Sequence, residues 1–189
     1  HHNPSNMRTF VGVGLPPSHR AEFARIQSLL RPRLGDFRWV RQESAHVTLH
    51  FIGETPRERL PDLQSALSAV ARTTERLEVE IGGLGAFPAR GRLRAVWLRV
   101  NDPHGALAEL AATIAVAAGA DPPARYRPHI TLGRPRRGNR TDIRAALGSA
   151  GVELRPAVLK VGSFELVRSH LTPRGARYET LEVYRLESG

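Results

Sequence analysis

His46-Val47-Thr48-Leu49-His50-Phe51-Ile52-Gly53 is the stretch on which the fold turns, and His129-Ile130-Thr131-Leu132-Gly133 repeats its opening 83 residues later. The first run is rich in β-branched and aromatic residues and is ended by Gly53, so it reads as a strand over residues 46–52; 129–133 reads as a second short strand. Residues two apart on a strand share a face. His46 and Thr48 therefore point one way while Val47, Leu49 and Phe51 point the other; His129 and Thr131 likewise oppose Ile130 and Leu132. The apolar faces bury in a core, and the polar faces line something wet. With ten threonines in the chain, two histidines each followed by x-Thr-Leu is a coincidence on the order of one in a thousand.

Working outward, residues 8–15 read as a buried opening strand. Pro16-Pro17-Ser18 starts a helix whose apolar stripe, Phe23, Ile26, Leu29 and Leu30, runs up to Pro32. Thr55-Pro56-Arg57-Glu58 has the form of a capping box for a helix with Leu60, Leu63, Leu67 and Val70 on its buried side. Residues 77–81 and 94–100 read as strands separated by a loop over 82–92. Asp102-Pro103 caps a third helix that ends at Gly119, and 141–147 is a short fourth. Strands at 152–161, 163–167 and 178–186 complete the chain. Short stripes and hairpin-like connections predict an α+β protein with antiparallel sheets, not a doubly wound parallel fold. The two His-strand, helix, strand passages predict two related, pseudo-symmetric lobes facing each other and packed as one unit.

The 189 residues suffice for one domain or two tightly joined lobes, with no metal or disulfide needed for folding. His1-His2-Asn3-Pro4-Ser5-Asn6 reads as a tag remnant, which leaves residues 7–189 as a single domain. Zero cysteines exclude a disulfide scaffold, a cysteine nucleophile, a zinc-thiolate site and an iron–sulfur cluster. No apolar run approaches the ~18–20 residues of a membrane span and no signal peptide is evident, so the expectation is a soluble, cytoplasmic protein. No Gly-x4-Gly-Lys loop exists for a nucleotide triphosphate. The formal charge is +10, and of 28 basic residues all but Lys160 are arginine. Genome composition and a polyanionic partner account for this equally well.

The paired His-x-Thr faces suit metal-free phosphoryl transfer. An imidazole titrates near neutrality, so one histidine serves as base and the other as acid. Displacement at phosphorus needs both, on opposite sides. The two threonine hydroxyls can donate to the non-bridging oxygens, where charge builds up in the transition state. Arg134 would add to them, but strict alternation puts it on the face away from His129. It serves only if the strand ends or bulges near Gly133.

The pattern resembles the 2H phosphoesterase superfamily, in particular the bacterial and archaeal RNA 2′,3′-cyclic phosphodiesterases also called 2′-5′ RNA ligases. The resemblance spans Arg8-Thr9-Phe10-Val11-Gly12-Val13, Arg38-Trp39-Val40, both His-x-Thr motifs, Gly85-Ala86-Phe87-Pro88, Val96-Trp97-Leu98, Gly133-Arg134, Phe164-Glu165-Leu166, Ser169 and Tyr178. It implies a bilobal fold with both motifs in a central cleft. It implies hydrolysis of an RNA 2′,3′-cyclic phosphate end to a 2′-phosphate without metal or cofactor, and weak reversible 2′-5′ ligation. His46 and His129 are then catalytic, and Thr48, Thr131 and Arg134 bind the substrate phosphate. His129 is assigned as base and His46 as acid, with the swap left open by the pseudo-symmetry.

The remaining polar and aromatic residues read as follows. His50 lies on the His46 face at the cleft edge, about 13 Å along the strand and too far to share a metal. His19, His104 and His170 sit beside caps or turns on the surface. Trp39, Phe87 and Trp97 are core aromatics or base-stacking platforms, and Tyr126 is a further stacking candidate. Arg38, Arg90, Arg92, Arg94, Arg125, Arg127, Arg136 and Arg137 flank the motifs, and some of them are expected to contact RNA. Two alternatives stand beside the leading reading: a phosphodiesterase for 2′-5′ oligonucleotides or small cyclic nucleotides, and a non-catalytic RNA-end-binding module. No protein partner is evident, and a monomer is the default.

Overall fold

A computed structural model describes residues 6–88, 90–149 and 154–187. Residues 1–5 of the expected tag remnant, and residues 152–153 at the start of the strand expected at 152–161, lie outside the described residues. The elements run β1 (Asn6–Gly14), α1 (Pro17–Leu34), β2 (Phe37–Trp39), β3 (His46–Pro56), α2 (Leu60–Arg72), β4 (Leu77–Phe87) and β5 (Ala95–Asn101), then α3 (Ala106–Ala117), β6 (His129–Pro135), α4 (Ile143–Ser149), β7 (Ala157–Val161), β8 (Ser163–Thr172) and β9 (Gly175–Arg185). No described helix is long and apolar enough to cross a membrane.

The α+β architecture is as expected: two sheets, ordered β3-β1-β8-β9 and β2-β6-β5-β4-β7, with every pairing antiparallel. The lobes are not the two halves of the chain. β8 and β9 return to pair with β1, and β4 crosses to the second sheet to pair with β7. The first sheet is thereby tied by both ends of the sequence, and the second takes all its strands from between β1 and β8. Val11, Val47 and Leu166 from the first sheet and Leu98, Ile130 and Leu132 from the second enter one continuous apolar core. Burying these side chains is the main stabilising term.

Several local expectations are overturned by tertiary packing. Gly53 does not end its strand: it takes a φ of 88° that suits glycine, and β3 continues to Pro56. Thr55 is therefore no helix cap. Its buried hydroxyl donates to the Gly53 carbonyl (3.0 Å) and accepts from Thr9 Oγ1 at 2.7 Å. A 3₁₀ turn at Arg57–Arg59 leads into α2 instead. α1 runs past Pro32 for the sake of Leu34, which is fully buried. Leu29 is exposed and Gln27 takes the buried place, with its amide donating to the Val40 and Leu132 carbonyls at 2.6 and 3.0 Å. β4 absorbs much of the expected 82–92 loop, since Leu84, Gly85, Ala86 and Phe87 pair with β5. Asp102 does cap α3, accepting from the Leu107 and Ala108 amides at 3.1 and 2.9 Å.

Candidate active site

Two β-bulges decide which side chains share the cleft. In the β5–β6 ladder Trp97 pairs with Thr131 and Val96 with Gly133, so Leu132 is the extra residue. The bulge flips the alternation, and Arg134 lines the same cleft as His129 and Thr131. In the β1–β3 ladder Gly12 pairs with Thr48 but Val11 with His50, so a second bulge falls at Leu49. His50 thus points with fully buried Val11, away from His46, and not along the cleft edge as simple alternation required. Burial, with Arg59 nearby, pushes its pKa down.

His46, Thr48, His129, Thr131 and Arg134 all line one cleft of about 570 Å³. The two histidines are held alike at one nitrogen. His46 Nδ1 donates to the Ser44 carbonyl (3.0 Å) and His129 Nδ1 to the Arg127 carbonyl (2.8 Å), each two residues back. A carbonyl only accepts, so Nδ1 carries the proton in both. At Nε2 the two part. His129 Nε2 meets no partner among the described residues. His46 Nε2 faces Glu165 Oε2 at 3.1 Å. That hydrogen bond holds the Glu165 carboxyl below the usual range, helped by a weaker bond from Thr180 Oγ1 (3.4 Å) and by Arg20. A β-carbon on Gly14 would stand 3.4 Å from His46 Nε2 and 3.6 Å from both Glu165 oxygens, so glycine leaves this pair its room.

The rings around the histidines differ too. His46 meets Phe10 and Tyr178 edge-on, each at 5.7 Å. Burial raises the Tyr178 pKa against the opposing pull of Arg134 and Arg8. His129 lies against Trp97 at 4.3 Å, tilted 39°. Trp97 sits on bare backbone: a β-carbon on Gly85 would come within 1.9 Å of its Nε1. Trp39 lines the cleft, whereas Phe87 is exposed and touches Trp97 at 5.9 Å. Tyr126 is a brace, donating from its hydroxyl to the Thr48 carbonyl at 2.8 Å.

Of the arginines expected near the motifs, only Arg38 lines the cleft, joined by Arg41 and Arg174, which sequence reasoning passed over. Arg174 sits in the β8–β9 turn, far along the chain, and only the return of that hairpin brings it in. Glu165 and Tyr178 stood out in the sequence only as parts of a family pattern. No spacing rule places a residue 119 positions away against His46.

Two His-x-Thr strands from separate antiparallel sheets, facing one cleft, are the architecture of a 2H phosphoesterase. The sequence matches the 2′-5′ RNA ligase superfamily over residues 15–173, and the chain belongs to that family. It is 31% identical over 183 residues to the RNA 2′,3′-cyclic phosphodiesterase of Methanothermobacter thermautotrophicus, covering 95% of this chain and 99% of that one. It is 35% identical over 196 residues to the enzyme of the same name from Thermus thermophilus, covering 95% and 90%. The crystal structure of TT0787 of Thermus thermophilus superposes with a TM-score of 0.78 at 28% identity, covering 96% and 98%.

Proposed function

We propose that this protein hydrolyses the 2′,3′-cyclic phosphate at an RNA end to a 2′-phosphate, with His129 as general base and His46 as general acid. The observation that carries this reading is the different surroundings of the two Nε2 atoms. His129 is held through Nδ1 on a carbonyl, and its Nε2 meets no hydrogen-bond partner among the described residues, which suits a base. His46 faces an acceptor at both nitrogens, a carbonyl and a carboxylate, which suits a ring that gives up a proton from Nε2.

Water oxygen attacks phosphorus and gives its proton to His129 Nε2. The P–O3′ bond breaks as His46 Nε2–H passes its proton to O3′. A 2′-phosphomonoester remains, and solvent returns His46 and His129 to their starting states. Thr48, Thr131 and Arg134 donate to the non-bridging oxygens as negative charge gathers there. A 5′-hydroxyl in place of water gives a 2′-5′ phosphodiester by the same displacement, and its reversal cleaves one. The name shared by the relatives supports the cyclic phosphate as substrate. Metal independence belongs to the proposal, since protons moved by two imidazoles need no Lewis acid.

The test uses a short RNA ending in a 2′,3′-cyclic phosphate, in excess EDTA, with H46A and H129A beside the unmutated protein. Conversion to the 2′-phosphate alone, lost in both variants, is the expected result. A 3′-phosphate product would reverse the leaving group and with it the assignment. Turnover only with added divalent metal would end the metal-free mechanism.

A further inference from the structure

One end of the cleft holds more positive charge than a single cyclic phosphate can use. Arg38 on β2 stands directly opposite Arg134 on β6 in the ladder. Like charges placed so are destabilising on their own. The β8–β9 turn closes on the same end: a β-carbon on Gly175 would lie 3.9 Å from Arg38 Cδ, and Arg174 is its neighbour. Arg41 lines the same cleft, and among the described residues no aspartate or glutamate does. None of these guanidinium groups has a hydrogen bond or ion pair to a described residue. Arg25 and Arg136, by contrast, each stand against a carboxylate, Glu22 and Asp36. The four come from three separate segments, so their convergence is made by the fold. Such a cluster is relieved when an anion enters it.

We infer that Arg38, Arg41 and Arg174 form a second phosphate subsite, which binds the phosphodiester linking the terminal nucleotide to the one before it. Arg134 stays with the reacting phosphate. The inference rests on the proposed function, and it makes the protein a reader of RNA ends with at least one upstream linkage. A lone nucleoside cyclic phosphate leaves the subsite empty.

The experiment compares kcat/KM on cytidine 2′,3′-cyclic phosphate, on a dinucleotide ending in the same group, and on that dinucleotide with a neutral methylphosphonate linkage. The unmutated protein is expected to prefer the charged dinucleotide about tenfold or more over both others, the scale of a charge-assisted hydrogen bond. In R38A, R41A and R174A that preference falls toward one, carried by KM. The slope of log KM against log salt also falls by about 0.7 for each arginine–phosphate pairing that a variant removes. Equal turnover of all three substrates, or a preference that the variants leave intact, overturns the subsite while the function stands. If none is turned over, the proposed function fails. The subsite is then judged by binding of the dinucleotide 2′-phosphate against its methylphosphonate analogue, with equal affinity counting against it.

Discussion

His46 and His129 open strands of the same spacing, yet the fold gives them different surroundings. β3 lies at the edge of its sheet and β6 inside the other. Both rings are pinned through Nδ1 to a carbonyl two residues back, a local device that travels with the motif. What surrounds Nε2 does not travel. β8 and β9 bring Glu165 and Tyr178 to His46, whereas β5 brings only the indole of Trp97 to His129. A repeated His-x-Thr motif thus supplies two like imidazoles, and non-local packing sets a carboxylate beside one and an indole beside the other. The comparison is informative because the asymmetry resides in residues outside the repeat.

The largest effect that can break this comparison is loss of either ring. H46A and H129A should each lower kcat on a cyclic-phosphate RNA by about 10²- to 10⁴-fold. The double variant should be little worse than either one, since the pair acts as a unit. The limbs of the pH–rate profile separate the roles. On the proposed assignment the low-pH limb belongs to His129 and the high-pH limb to His46, so residual activity of H129A should lack the low-pH limb and that of H46A the high-pH limb. The opposite pairing would exchange acid and base. Next in size are the hydroxyls: T48V and T131V should each cost about 10²-fold in kcat with little change in KM, if they bind charge that develops only in the transition state. A rise in KM alone would make them ground-state contacts.

How much of this was legible before the structure follows from the range of each interaction. The His-x-Thr faces could be read because alternation is local, and the strands, helices and antiparallel class follow from period and turn chemistry. Arg134 required a bulge that alternation can demand but not locate; Leu132 supplies it. His50 was misplaced for the same reason, because the bulge at Leu49 lies between it and Thr48. Thr55 had the spacing of a cap, but burial against Thr9 won over local propensity. Glu165, Arg41 and Arg174 were not readable as site residues. Their places depend on which strands return to which sheet, and hydropathy does not encode that.

The Glu165 contact sharpens the comparison at a smaller scale. E165Q removes the carboxylate but keeps the shape, so a neutral amide replaces the charged acceptor beside His46 Nε2. Turnover should fall by about tenfold, carried by kcat with little change in KM. An unchanged kcat would show that Glu165 only packs. The same contact has a stability signature. The Glu165 pKa lies below its ordinary 4.5, chiefly through the bond to His46, so the stabilisation is present above that pH. It is lost as the pH falls through the depressed value. In urea unfolding, the advantage of the unmutated protein over E165Q should therefore fade below about pH 4.5.

The smallest effect sets His46 against His50, four residues away and on the other side of the same sheet. The His50 pKa is pushed below 6.5, first by burial and then by Arg59. Its neutral form belongs to the folded state and its charged form to the unfolded one. His50 is therefore tolerated without penalty above about pH 6.5, and it destabilises progressively as the pH falls below that value. H50Q, which cannot take a proton, should flatten that part of the Tm-against-pH curve and leave turnover within about twofold of the unmutated protein. An unchanged curve would mean that His50 titrates in the folded state as it does in water. A large loss of turnover would put it back on the cleft face, and the bulge at Leu49 would then not separate the two histidines.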